Sequence, residues 1–330
     1  MKQKIRWGIL GCARIVEKAI IPAFLESKNG ILYGIASRDQ KRAEDWAKKY
    51  HIPMYFQDYQ ELIKDSSIDA IYIPLPNFLH AKWSIIASCS GKHVLCEKPM
   101  AMNAEEAAEM IRAASRHDVL LMEGFMYRFH PQIWKALDFI KKGGIGYLKT
   151  FHASLSSNVK KNEQEYRLCS YMGGGSLYDM GCYTISAARL FFGEEPISVF
   201  ARAHIDSQHG VDMTTSILLE FQDGRFAFCD SSFESHFQSR IFAVGNRGTI
   251  SLNCAFSAKD VDAEIEIING HKKRTVIIPR TNMFTTMIEH FGECIQKKKK
   301  PRFPAEDALA NLKVMDACFR SIKVKEPVGL

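Results

Sequence analysis

The chain has 330 residues, 46% hydrophobic and 25% charged, with 44 Lys and Arg against 37 Asp and Glu for a formal charge of +7. That length predicts two domains, each able to bury a core, in an ordinary globular protein. No apolar run approaches the roughly 20 residues of a membrane helix, "MKQKIRWGIL" lacks the apolar core and cleavage site of a signal peptide, and nine cysteines without a C-x-x-C pair give no zinc framework.

These features predict a cytoplasmic protein with reduced thiols, no membrane partner and no metal. The basic run "KKKKPR" at 297–302 has no aromatic interleaving and no nucleic-acid motif, so it reads as a solvated loop between helices rather than a nucleic-acid surface.

In chain order, the first third alternates strands and helices. Strands are predicted over 4–10, 31–37, 68–76, 92–97 and 119–124, and helices over 13–27, 40–50, 80–90 and 103–118, the last capped by Asn103. Near-continuous apolar strands between helices predict an α/β Rossmann domain, a doubly wound parallel sheet covered on both faces. Ligands of such sheets bind beyond the carboxyl ends of the strands. Gly11, Ser37, 74–80 and 97–99 all fall there.

After about residue 145 the pattern changes. Segments 148–156, 198–205, 212–221, 225–233, 240–245, 248–253, 263–268 and 274–279 alternate or run apolar, with turns such as "QDG" and "GNRG" between several of them. They predict an α+β domain with a large, mostly antiparallel open sheet. Helices at about 284–296 and 304–322 close the chain. The expected domains are 1–124 for dinucleotide binding and 125–330 for substrate binding and oligomerisation, with the last helix able to pack on the first domain.

The first strand ends in "GILGCARIV", where the G-x-G-x-x-G fingerprint reads Gly11-x-Ala13-x-x-Val16. Gly11 can make the turn, Ala13 still permits close backbone approach, and Arg14 and Ile15 begin the helix whose N-terminus suits a pyrophosphate. By itself the stretch could equally be a plain strand–helix turn.

The end of the second strand bears on the choice of cofactor. An NAD site wants an acidic residue there for the ribose hydroxyls. This chain has "ASRDQKR", with Ser37 and Arg38 in that place, Lys41 and Arg42 one turn on, and Asp39 late. A hydroxyl and a guanidinium suit a 2′-phosphate, so NADP is favoured over NAD; the alternative is that Arg38 and Arg42 are solvated helix-start residues. Pro74, Asn77 and His80 of "PLPNFLH" are further cofactor candidates, His80 either bordering a nicotinamide or merely starting its helix.

"HVLCEKPMAM" at 93–102 ends a strand with Glu97, Lys98 and Pro99. Pro99 bars helical geometry at Lys98, and a lysine held at a strand end can hydrogen-bond a reacting oxygen. In the second half, "GGGSLYDMGCY" at 173–183 puts Asp179 and Tyr183 four apart on one helix face. The tyrosine could exchange a proton and the aspartate orient it or sugar hydroxyls. Taken alone, a core tyrosine and a dipole-stabilised aspartate explain them as well. "EGFMYRFHPQ" adds Arg128 as a candidate and His130 as a structural residue; Tyr166 and Arg167, in the loop 157–171, are candidates to line the substrate pocket.

With "PNFLH", "CEKP" and "GGGSLYDMGCY" in this order, the chain resembles the Gfo/Idh/MocA family of sugar oxidoreductases over essentially its full length. Tyr183 stands where many polyol dehydrogenases have His, which resembles the branch of glucose–fructose oxidoreductase, NADP-dependent xylose dehydrogenases and dihydrodiol dehydrogenases. The resemblance implies Lys98, Tyr183 and Asp179 as catalytic residues, with Glu97 beside the motif lysine. It also implies a homo-oligomer, dimer or tetramer, formed through the outer sheet face. The expected activity is NADP(H)-dependent hydride transfer at a sugar carbinol, first an aldose C1 oxidised to a lactone. Reduction of a keto- or anhydro-sugar and a non-catalytic NADP-binding sensor are the alternatives.

Overall fold

The structure is a computed structural model describing residues 4–160, 165–258 and 261–330. Its contacts group into two units: Met1–Met126 with Phe284–Leu309, and Tyr127–Met283 with Ala310–Leu330.

In unit 1 the apolar runs form six parallel strands, β1 (Ile5–Leu10), β2 (Gly30–Ala36), β3 (Met54–Phe56), β4 (Ala70–Ile73), β5 (His93–Cys96) and β6 (Leu121–Glu123), in the order β3-β2-β1-β4-β5-β6. Every residue of β4 is buried, as strands covered on both faces should be. The order reverses between β1 and β4, and a doubly wound sheet opens its ligand crevice at that point.

The helices are α1 (Ile21–Glu26), α2 (Gln40–Tyr50), α3 (Tyr59–Lys64), α4 (His80–Cys89) and α5 (Ala104–Arg116). Side-chain caps start three of them: Asp39 on α2, Asp58 on α3, and Asn103 on α5 as expected. Two features depart from the sequence reading. The helix expected over 13–27 opens with a π-helical turn at Val16–Ile20 before α1, and β3 and α3 are too short for a periodicity to reveal.

Unit 2 begins with α6 (Pro131–Lys141), unanticipated although His130 caps it and Pro131 starts it. Then follow β7 (Leu148–Ser156), α7 (Cys182–Phe192), β8 (Ser198–Ile205), β9 (Asp212–Phe221), β10 (Arg225–Ser232), β11 (Gln238–Gly245), β12 (Gly248–Leu252), β13 (Ala263–Asn269) and β14 (Lys272–Ile278). With β15 (Val328–Gly329) these strands make a nine-stranded sheet, β14-β13-β12-β11-β7-β10-β9-β8-β15, antiparallel except for the β7–β10 pair. Alternation sets its faces: Phe151, Ala153, Ala227 and Cys229 are buried on the α7 side, while His152 stacks on Phe228 at 4.9 Å on the other.

The α8 helix (Met283–Lys297) belongs to unit 1 from Phe284 onward, whereas the sequence reading kept 125–330 in one piece. Its Phe291 ring lies 5.8 Å from Trp7, and Glu289 accepts from the Lys28 N–H at 2.7 Å. The α9 helix (Ala305–Val324) precedes β15 and belongs to unit 2 from Ala310. Among the described residues no helix is long and apolar enough to cross a membrane.

Candidate active site

In unit 1 the candidates collect at the carboxyl ends of the strands. Gly11 leaves β1 at φ +100°, a conformation that favours glycine, and its N–H donates to Ala36 at 2.7 Å. A Cβ there would lie 3.1 Å from Leu75 Cδ2, tighter than ordinary contact, and 3.5 Å from the Tyr59 hydroxyl, so a side chain would crowd Leu75. Ala13, Arg14 and Ile15 follow it at least partly accessible, and Val16 N–H donates to Ala13 at 3.0 Å. The turn therefore fits a dinucleotide pyrophosphate despite holding one glycine of three.

At the end of β2, Ser37 is buried and its hydroxyl accepts from Asp39 N–H at 3.2 Å. Asp39 caps α2 by accepting from Arg42 N–H at 3.2 Å. Arg42 is likewise committed, its Nη2 donating to the Cys12 carbonyl at 2.7 Å. Arg38 is an exposed cation at the strand end, with Tyr59 beside it. Burial raises the Tyr59 phenol, and the charge of Arg38 opposes that shift.

The loops after β4 and β5 are tied together by His80. Its ring nitrogens lie 2.7 Å from the Leu75 carbonyl and 2.8 Å from that of Pro99, at 0% exposure. Burial pushes its pKa down to about 4, against the two carbonyls and with help from Lys98. His80 thus acts as a clamp. Pro74 and Asn77 are buried in the first of these loops.

Glu97 accepts from the Tyr72 hydroxyl at 2.5 Å, which anchors the residue before Lys98. Met100 N–H, just beyond, donates to Glu123 at 2.8 Å. Lys98 itself is half-buried and followed by a cis peptide bond to Pro99.

In unit 2, Asp179 lies in a π-helical turn, Leu177–Gly181, that runs into α7, so its spacing to Tyr183 spans a wide turn rather than the expected α-helix. Such turns recur at functional sites. The buried Asp212 holds its start: one carboxylate oxygen accepts from Ser176 Oγ and Leu177 N–H, each at 2.7 Å, and from Thr215 Oγ1 at 2.8 Å. Burial raises the Asp212 pKa against these bonds. Tyr183 is buried, its ring 5.7 Å from both Tyr127 and Phe256.

Arg167 donates from Nε and Nη2 to the two oxygens of Glu165, both at 2.8 Å, and its Nη1 lies 3.7 Å from Asp179. Glu165, with help from Asp179, keeps this guanidinium firmly protonated despite partial burial. The glycine run presses this loop onto the helix start: a Cβ on Gly174 would sit 2.6 Å from the Arg167 carbonyl. Tyr166 is exposed on the same loop, whose residues 161–164 lie outside the described residues.

Arg128 is 2% exposed and donates from Nε and Nη2 to Ser186 Oγ at 3.0 and 2.7 Å. His130 is buried and accepts from Gln132 N–H at 3.3 Å at the start of α6. Among the described residues no group of three His, Cys, Asp or Glu could hold a metal ion.

Sequence reasoning named Arg167 and Glu97 but not their partners Glu165 and Tyr72, nor Asp212, which holds the start of the turn that carries Asp179. A tyrosine inside the aliphatic run "AIYI" was a usable signal for Tyr72. Nothing local marked Asp212, which lies 35 residues from the N–H it binds.

A glycine turn at the switch point of a doubly wound sheet, joined to a second sheet-bearing unit, is the arrangement of a dinucleotide-binding protein. Residues 5–125 match the oxidoreductase family with an NAD-binding Rossmann fold, and residues 133–251 match the GFO/IDH/MocA C-terminal domain. The chain belongs to the Gfo/Idh/MocA family. It is similar to a D-xylose 1-dehydrogenase (NADP(+)) of Haloferax volcanii, with 34% identity covering 98% of this chain and 99% of that one.

Among solved structures it is similar to an aldose–aldose oxidoreductase from Caulobacter crescentus complexed with glycerol, at 27% identity and TM-score 0.93, covering 99% of this chain and 100% of that one. It is also similar to a 3-ketoreductase from Actinomadura kijaniata in complex with NADP and TDP-benzene, at 29% identity and TM-score 0.92, covering 97% and 98%.

Proposed function

We propose that this chain is an NADP(H)-dependent sugar oxidoreductase that oxidises an aldose at C1 to its lactone. The observation that carries the cofactor choice is the end of β2, where Asp39 is spent as a helix cap and Arg38 is an exposed cation placed for a 2′-phosphate. The similarity to an NADP(+)-dependent xylose dehydrogenase supports the same choice. Gly11, Ala13, Arg14 and Ile15 would line the pyrophosphate, with Ser37, Arg38 and Arg42 toward the ribose phosphate. Pro74, Asn77 and His80 would shape the loop bordering the nicotinamide, and Arg128 completes the proposed set.

The bound cofactor supplies the hydride acceptor or donor. Lys98 hydrogen-bonds the reacting hydroxyl oxygen through Nζ and stabilises the charge that develops there. Tyr183 exchanges the hydroxyl proton at its phenolic oxygen, accepting it as its own proton passes on to solvent, and Asp179 orients the tyrosine or a neighbouring sugar hydroxyl. Glu97, fixed by Tyr72, holds the backbone that presents Lys98.

Reduction of a keto-sugar is the second reading, favoured by the similarity to the Actinomadura 3-ketoreductase. NADP⁺ reduction during aldose oxidation supports the first reading; NADPH consumption with a keto-sugar, and no aldose oxidation, supports the second. The proposed homo-oligomer would use the sheet face bearing the exposed Phe228 and Phe242. A monomeric mass by light scattering at micromolar concentration would reject it.

A further inference from the structure

We infer that this enzyme selects uncharged sugars over sugar phosphates and uronates. The inference rests on the sugar-oxidoreductase reading and comes from how unit 2 spends its guanidinium groups. A phosphate or carboxylate is recognised best by the bidentate Nε–Nη2 edge of an arginine. In Arg167 that edge donates wholly to Glu165, at 2.8 Å for each bond, and Glu165 is itself buried. In Arg128 the same edge donates to Ser186 Oγ at 3.0 and 2.7 Å. Both arginines among the unit's candidate residues thus have their anion-receiving edges committed internally.

The charge balance points the same way. Arg167 faces two carboxylates, Glu165 in a bidentate pair and Asp179 at 3.7 Å, so its positive charge is already met within the chain. The Phe233 ring, 6.0 Å from the guanidinium carbon, adds no compensating charge. An incoming anion would have to compete with both carboxylates for this guanidinium.

A neutral sugar meets the opposite. Asp179 can accept hydrogen bonds from sugar hydroxyls, and the exposed rings of Tyr166 and Tyr171, on the same stretch of chain as Arg167, suit the C–H face of a pyranose. Gly174, packed against the Arg167 carbonyl and the Cys169 backbone, holds this stretch close to the helix that carries Asp179.

The test compares kcat/KM with NADP⁺ for xylose and glucose against glucuronate and glucose 6-phosphate, in low and high NaCl, for the native enzyme and Glu165→Gln. The expected result is a preference of about tenfold or more for the neutral sugars at low salt, shrinking as salt screens the carboxylates. Glu165→Gln should raise the anionic-to-neutral ratio by about tenfold, because it removes the charge that occupies Arg167. If that variant does not fold, the salt dependence of the native ratio decides. Equal or better turnover of the anionic sugars, or a ratio indifferent to both salt and Glu165→Gln, overturns the inference and leaves the sugar oxidoreductase standing. Failure of all four sugars to reduce NADP⁺ instead overturns the aldose-oxidation reading.

Discussion

Arg38→Ala should separate the two nicotinamide cofactors. Arg38, Asp39 and Arg42 stand near the end of β2, and two of them are already engaged: Asp39 with the Arg42 N–H, and Arg42 Nη2 with the Cys12 carbonyl. A phosphate at this strand end would therefore depend mainly on Arg38. Hydrogen bonds to charged groups are worth about 1.5–3 kcal/mol, and the exposure of Arg38 puts it toward the lower part of that range. A loss of about 2 kcal/mol corresponds to a ~30-fold weaker affinity for NADP⁺. NAD⁺ has no phosphate for Arg38 to hold, so its affinity should change by less than about threefold. Titration of each cofactor against intrinsic protein fluorescence measures both constants. Equal losses for the two cofactors would refute the phosphate assignment and return Arg38 to a solvated helix-start residue.

Lys98→Ala should lower kcat by about 10²–10⁴-fold while NADP⁺ affinity is largely kept; stopped-flow turnover and cofactor titration check the two parts, and full activity would remove Lys98 from the chemistry. Stability should also depend on acid through His80. Its folded pKa of about 4 lies below the ordinary value of 6.5, so the unfolded chain binds a proton first as pH falls. That contribution is complete above pH 6.5 and is lost between there and about pH 4, at most about 3 kcal/mol. Urea unfolding of the native protein and His80→Gln across this window reads it as their difference. If the difference does not change with pH, both ring nitrogens donate to their carbonyls as an imidazolium.

Local chemistry accounts for what the sequence made legible. The strands of unit 1 were visible because burial on both faces leaves continuous apolar runs, and the Asn103 cap because its partner is three residues away. Glu97-Lys98-Pro99 stood out because charges rarely close a buried strand without a task. What stayed hidden depends on distant pairing. Tyr72 meets Glu97 across 25 residues, and Asp212 meets Leu177 across 35, contacts that only the folded sheets create. The return of α8 to unit 1 is of the same kind: Glu289 reaches Lys28 across 261 residues, and no periodicity reports that. The Glu165–Arg167 pair is different. Its partners are two residues apart, yet carboxylate and guanidinium at that spacing are common on surfaces, and only the burial of Glu165 gives the pair meaning.

The most direct measurement is reduced-nicotinamide absorbance on mixing the protein with NADP⁺ or NAD⁺ and a panel of aldoses, polyols and keto-sugars. The expected result is NADP⁺ reduction with a neutral aldose, lactone as the product and a much weaker signal with NAD⁺. Oxidation of no aldose by a protein that binds NADP⁺ would contradict it.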